Sequence, residues 1–229
     1  NYFCPPFPSC IETSSINESN YCDNGTDCIS DDNTDGVMLW NNCFSIENTT
    51  IINFSGDNGT NQDALYGPIA PEIGLFLNLD TLDLSGNNLS GSIPSEITNL
   101  SNLKTLLLQN NNLAGSLPSG MDSMLQLQDL MFINNYIEGE LTPEICSLSN
   151  LKSFGASNNL LSGIIPQEIG NLTNLEAISL FENNLSGPIP NELFNLTNLR
   201  MLILRTSPSF SSQGGNRFNA SQAFNNIGN

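Results

Sequence analysis

The chain has 229 residues, enough for one large domain or two small ones. Its 5 basic and 23 acidic residues give a net charge of −18, which argues against nucleic acid or an anionic membrane surface as a partner, because like charges repel at long range. Histidine is absent, which removes His-based triads, His general bases and most zinc sites.

No apolar run approaches the roughly 20 residues needed to span a bilayer. The numbering begins at Asn1 rather than Met, as expected of a chain whose secretory signal has been removed. An anchor beyond either end stays open at this point.

The first 50 residues read as a cysteine-rich N-terminal cap. Cys4, Cys10, Cys22, Cys28 and Cys43 crowd into this stretch, as in disulfide-stapled extracellular domains. Cys28–Cys43 is the favoured pair, and the odd count leaves at least one cysteine free or paired elsewhere. Within the cap, Asp31, Asn33 and Asp35, followed by Gly36, fit the first half of a calcium loop. The bidentate Glu expected at the twelfth position is Asn42, so a solvated turn is the better reading and no cofactor is expected.

Eleven N-x-[ST] sequons add to the extracellular signature: Asn17, Asn24, Asn48, Asn53, Asn58, Asn88, Asn99, Asn171, Asn184, Asn195 and Asn219. Chance supplies some in a chain this rich in Asn, Ser and Thr. Several nevertheless recur at one phase of an internal repeat, and chance does not arrange that. Sequons and cysteines together predict a secreted or cell-surface glycoprotein.

The repeat has a period of 24 residues and occupies residues 51–204. Its landmark is a column of asparagines, Asn87, Asn111, Asn135, Asn159 and Asn183, each preceded by L-x-L or a close variant. Gly67, Gly91, Gly115, Gly139, Gly163 and Gly187 keep step with it. Such self-similarity means a solenoid whose coils bury a shared core. The L-x-L segments alternate at period 2 and are too short for a helix, so they are strands.

Seven strands are predicted, at residues 52–54, 82–84, 106–108, 130–132, 154–156, 178–180 and 202–204. Each connection is a full coil, so they must pair in parallel. The Asn column is expected to satisfy backbone groups where the chain leaves the sheet, and the Gly column to allow close approach or a positive φ. The segments after Pro94, Pro118, Pro166 and Pro190 are expected to form 3₁₀ turns on the convex side.

The pattern L-x-x-L-x-L-x-x-N-x-L-x-G-x-I-P resembles the plant-type leucine-rich repeat of receptor-like kinase ectodomains and polygalacturonase-inhibiting proteins. The resemblance covers residues 65–204 closely. It implies an α/β-type solenoid: a right-handed leucine-rich-repeat superhelix with a parallel concave sheet of about seven strands and a convex side of 3₁₀ turns and loops. It also implies a second, lateral β-element in the L-x-G-x-I-P half. The segment from Asp35 to Cys43, with Trp40 at its centre, resembles the N-terminal cap of that family but lacks the close Cys pair after the Trp.

The repeat falters near its end. The next ladder Asn should fall at position 207, which is Ser; Asn216 restores the spacing some nine residues late. Residues 205–229 therefore read as an inserted loop with an incomplete repeat, or as a flexible Ser/Gly/Asn tail. On the first reading an open parallel edge follows, so either the native protein continues past Asn229 or a partner covers this end. Cys146 occupies a convex turn and is expected to be a small buried thiol.

Aligning the outward residues of each strand yields three columns on the concave face. They run Thr81, Thr105, Asp129, Ser153, Ala177, Met201; then Asp83, Leu107, Met131, Gly155, Ser179, Ile203; then Ser85, Gln109, Ile133, Ser157, Phe181, Arg205. Large apolar residues here are unforced by the fold. Leu107, Met131 and Ile133 should touch, and Phe181, Met201 and Ile203 should form a second cluster, with small residues between them. With Asp83, Asp129 and Arg205 they make the candidate binding face.

No sequon falls within the columns from Thr81 to Arg205, whereas Asn53 lies on the first strand. The sequence thus predicts a recognition module, not an enzyme, that binds a protein, peptide or glycan on its concave face. The alternative is a structural glycoprotein of a matrix, wall or filament assembly. Ice binding through regular polar arrays ranks third, because the outward columns are irregular.

Overall fold

The computed structural model describes residues 27–30, 34–56, 64–204 and 216–218. The concave sheet has seven parallel strands: β4 (Ile51–Asn53), β6 (Thr81–Asp83), β8 (Thr105–Leu107), β10 (Asp129–Met131), β12 (Ser153–Gly155), β14 (Ala177–Ser179) and β16 (Met201–Ile203). Each begins one residue before the position expected from L-x-L. The hydrogen bonding starts early, since the Asp80 carbonyl accepts from both Lys104 N–H and Thr105 N–H. At about 4.8 Å per strand, six spacings make a sheet roughly 29 Å long.

A second parallel sheet lines the lateral face. It comprises β5 (Tyr66–Gly67), β7 (Asn88–Gly91), β9 (Asn112–Ser116), β11 (Tyr136–Glu140), β13 (Leu160–Gly163), β15 (Asn184–Gly187) and β17 (Arg217–Phe218). The glycines closing these segments, from Gly67 to Gly187, all have φ between +77° and +88°. A side chain there would strain the backbone, which explains the column. Short 3₁₀ turns form the convex side: Ser95–Asn99, Gln167–Asn171 and Asn191–Asn195 start directly after Pro94, Pro166 and Pro190, and Met121–Ser123 starts after Gly120, two residues past Pro118.

Between the sheets the core is continuous. The central residue of each inner strand from β4 to β14 (Ile52, Leu82, Leu106, Leu130, Phe154, Ile178) is at most 1% exposed. At the N-terminal end, β1 (Asp27–Ile29), β2 (Asp35–Leu39) and β3 (Asn42–Ser45) form an antiparallel sheet. Trp40 and Asn41 join β2 to β3 with φ of 47° and 63°, the two positive values that a two-residue type I′ hairpin requires. Trp40 packs edge-on to Phe54, with ring centroids 5.6 Å apart, and Phe44 reaches Phe54 and Phe76 at 5.8 and 6.2 Å. This aromatic cluster docks the cap on the first coils. Cys43 is disulfide-bonded. Of the calcium-loop candidates, Asp31 and Asn33 lie outside the described residues, and Asp35 opens β2.

Three sets of carboxamides tie the coils together. The predicted column is buried, Asn87, Asn111, Asn135, Asn159 and Asn183 being at most 7% exposed. In each rung the side-chain oxygen accepts an N–H from the preceding coil, as Leu113 N–H to Asn135 Oδ1 at 2.9 Å. The side-chain nitrogen donates to carbonyls of its own and the preceding coil, as Asn135 Nδ2 to Phe132 and Leu108, both at 3.0 Å. Asn216 takes the sixth rung, donating to Leu204 and Leu180 at 2.6 and 2.7 Å.

A second set, Asn110, Asn134 and Asn158, sits at φ of 53° to 58° beside the first, and its exposed side chains bond one to the next at 2.5 Å. A third lies where the chain ascends to the concave sheet. Asn102, Asn150, Asn174 and Asn198 each donate to a carbonyl of the preceding coil at 2.8–2.9 Å, and Asn78 donates to Glu47 in the cap connection at 2.8 Å.

Replacing Asn135 with Ala should strand the buried Leu113 N–H and take one of two donors from the Leu108 and Phe132 carbonyls, which keep Asn111 and Asn159. We expect a stability loss of about 1–3 kcal/mol, the cost of one buried unsatisfied group. Urea denaturation followed by circular dichroism measures it; an unchanged midpoint would show that the ladder does not hold the coils.

Candidate functional site

The concave columns assemble in register as their spacing predicts. Asn53, Asp83, Leu107, Met131, Gly155, Ser179 and Ile203 are successive cross-strand partners. Ile51, Thr81, Thr105, Asp129, Ser153, Ala177 and Met201 form the adjoining column. The third column follows through the backbone bonds of Gly86, Asn110, Asn134 and Asn158 to the carbonyls of Gln109, Ile133, Ser157 and Phe181. Arg205 lies outside the described residues.

The apolar residues are presented unequally. Leu107, Met131, Ile133 and Phe181 are half-buried, whereas Met201 and Ile203 are 52% and 37% exposed. Gly155 accounts for part of this. A Cβ on Gly155 would collide with Met131 Sδ and lie 2.9 Å from Ile133 Cδ1, so these two side chains lean into the space that glycine leaves. The small residues between the two clusters are therefore no open trough. Gly155 is covered by its neighbours, and Ser157 is fully buried with its hydroxyl 2.7 Å from that of Ser179.

Polar groups frame these clusters. Asp83 is held locally, its carboxylate accepting Ser85 N–H at 3.0 Å and Ser85 O–H at 2.6 Å. Asp129, by contrast, bonds through its backbone N–H to the Lys104 carbonyl, while its carboxylate makes no hydrogen bond or ion pair among the described residues. Along the ascending edge, paired charges and amides alternate: Lys104 with Asp80 at 2.5 Å, Lys152 with Gln128 at 2.9 Å, and Arg200 with Glu176 at 3.8 Å. The hydrogen bond from Lys104 holds the Asp80 carboxyl below its usual range. An open recess of about 480 Å³ lies at the N-terminal end of this edge, lined by Thr50, Ile51, Asn78, Asp80, Asn102, Lys104 and Gln126. Sequence reasoning missed it, because Ile51 and the Asn/Gln positions carry no motif of their own.

The exposed sequons lie mostly elsewhere. Asn99, Asn171 and Asn195 each end a convex 3₁₀ turn, Asn184 opens β15 on the lateral sheet, and Asn48 lies between cap and first coil; all five are exposed. Asn88 opens β7 and is half-buried. Asn53 is the exposed exception on the concave sheet. Asn17, Asn24, Asn58 and Asn219 lie outside the described residues.

Two parallel sheets joined by 3₁₀ turns and a buried Asn column define a leucine-rich-repeat solenoid. The Leucine Rich Repeat family profile matches residues 78–100, 102–124, 150–172 and 174–196. Among solved structures, the LRR ectodomain of the plant membrane receptor kinase GASSHO1/SCHENGEN3 from Arabidopsis thaliana, in complex with CASPARIAN STRIP INTEGRITY FACTOR 2, is 35% identical, with a TM-score of 0.68 over 79% of this chain and 20% of that one. The plant peptide hormone receptor RGFR1 in complex with RGF2 is 34% identical, with a TM-score of 0.63 over 68% of this chain and 23% of that one. A plant ice-binding protein is 29% identical, with a TM-score of 0.62 over 78% of this chain and 51% of that one.

The chain thus spans between a fifth and about half of the length of these solved chains. No curated protein sequence matches it. Taken together, the chain is a plant-type leucine-rich-repeat protein, and its fold is a binding scaffold.

Cys146, the one free cysteine among the described residues, is 2% exposed, and burial helped by Glu168 and Glu144 pushes its thiol up to about 12. A thiol so raised is a poor nucleophile. It should resist iodoacetamide at pH 8 in the native protein and react once urea unfolds the chain; mass spectrometry of the Cys146 peptide distinguishes the two.

Proposed function

We propose that this chain is part of an extracellular or cell-surface recognition module that binds a protein, peptide or glycan ligand on its concave face, without catalysis. The observation that carries the reading is that the large apolar residues Leu107, Met131, Ile133, Phe181, Met201 and Ile203 all stand at outward positions of one sheet whose core is filled by other residues. Large apolar side chains on an outward face mark contact sites when they cluster. Among the described residues the sequons other than Asn53 fall on other faces, so glycans there leave the site open. The likeness to receptors solved with bound peptides supports a peptide or protein ligand. On this reading Cys28–Cys43 closes the cap, the Cα atoms of β1 approaching those of β3 to within 8 Å.

The likeness to a plant ice-binding protein suggests a second reading, which the exposed ladder of Asn110, Asn134 and Asn158 favours as a regular polar array. Three rungs bounded by Gly86 and Glu182 make a short one, and this reading ranks behind the first.

A quantitative pull-down from the native extracellular fraction tests the concave face, comparing wild type with a Met131→Glu/Ile133→Glu double variant of matched circular dichroism. The expected result is a partner captured by wild type and reduced at least about tenfold by the variant, since central apolar contacts carry about 2 kcal/mol or more each. Equal capture of the same proteins, or of this chain alone, sinks the concave-face reading and favours a structural role.

A further inference from the structure

We infer that the ligand of the concave face is a basic peptide segment, its Lys or Arg side chain received by Asp129 and a neighbouring apolar side chain by Leu107, Met131 and Ile133. This inference rests on the concave-face reading above and adds the chemical class of the ligand.

Asp129 stands in β10, the middle strand of the seven. It is half-buried, and among the described residues no donor or cation engages its carboxylate. Three other acids of the concave strands and ascending edge are occupied: Asp83 by Ser85, Asp80 by Lys104, Glu176 by Arg200. The closest cations in register, Lys104 and Lys152, are turned to Asp80 and Gln128. Across the sheet, Asp129 faces only the hydroxyl residues Thr105 and Ser153. A carboxylate so placed accepts charge-assisted hydrogen bonds from an incoming cation without first breaking an ion pair.

The second observation is independent of charge. Gln109, in the third concave column beside Ile133, buries its Oε1 with no hydrogen-bond partner. Buried polar atoms are rarely left so, and a small turn of this half-buried amide presents an acceptor to a ligand N–H. Met131 lies two residues after Asp129 on the same face of β10, about 7 Å along the strand. A carboxylate, an orphan acceptor and an apolar patch within one coil's reach fit an extended peptide carrying a cation beside an aliphatic or aromatic residue. Neutral glycans supply no cation, and anionic ones are repelled by a chain of net charge −18, which steers basic ligands inward.

The test uses a positional-scanning library of N-acetylated, C-amidated nonapeptides as probe, against the full chain and two variants, Asp129→Asn and Met131→Glu/Ile133→Glu. The wild type should retain peptides with Lys or Arg next to a large apolar residue. Asp129→Asn, which keeps size and shape, should weaken those peptides about tenfold or more, as expected for hydrogen bonds to charged groups, and leave retained uncharged peptides unaffected. Retention without preference for Lys or Arg, or unchanged by Asp129→Asn, overturns the basic-peptide inference and leaves the concave-face reading standing. Absence of retained peptides also overturns the basic-peptide inference alone, whereas retention indifferent to Met131→Glu/Ile133→Glu overturns both.

Discussion

The constraint beneath this structure is that every coil must turn out of a parallel sheet without stranding its backbone. Strand residues pair with the coils on either side, but the chain then bends into the interior, where N–H and C=O groups have no sheet partner. One buried carboxamide per coil resolves this. Asn111 accepts from Leu89 N–H and donates to the Leu84 and Leu108 carbonyls, and each later rung repeats the arrangement. Asp in its place would offer acceptors without donors and bury a charge, and Gln would move the amide outward by a methylene. The residue type is therefore set by geometry, which is why the column reads so clearly.

Because the interior is settled by Asn and Leu, the outward positions of the concave strands are free to vary, and their composition carries the recognition chemistry. The face combines an apolar patch partly sunk over Gly155, a carboxylate without a partner at Asp129, and a hydroxyl pair at Ser157 and Ser179. Of the described cations, Lys104, Lys152 and Arg200 sit along the ascending edge, each matched to an acid or amide one coil back, and Arg217 lies in the lateral sheet. This arrangement keeps positive charge out of the columns described here and lets the negative field of the chain reach a ligand.

Repeat length, strand number, parallel pairing, the buried Asn column and the convex turns were legible in the sequence, since each follows from a period that recurs without local exceptions. The left-handed Gly column was legible too, as a choice between close approach and positive φ. Less visible were interactions that depend on side-chain reach. The outer ladder at Asn110, Asn134 and Asn158 stands next to the inner one, so an N-N pair in sequence hides two roles: one amide turns in, the other is held out by φ near 55°. The amides at Asn78, Asn102, Asn150, Asn174 and Asn198 resemble ordinary turn residues until their donors are traced to the preceding coil. On the concave face the columns were readable, but not that Met131 and Ile133 fold over Gly155, which depends on rotamers. Likewise, periodicity carries no sign that Asp83 is satisfied locally and Asp129 is not.

All three amide sets link a coil to its predecessor, and none skips a coil. Tension applied along the solenoid is consequently borne in series, one junction at a time. A coil that peels from the end takes with it the amide rungs it contributes and a slice of core, and it exposes the next junction intact. Released coils of 24 residues lengthen the chain by about 80 Å each at roughly 3.4 Å per residue. The molecule thus yields to pulling in uniform steps, as a ratchet pays out line, and retains a folded remainder until the final coils part.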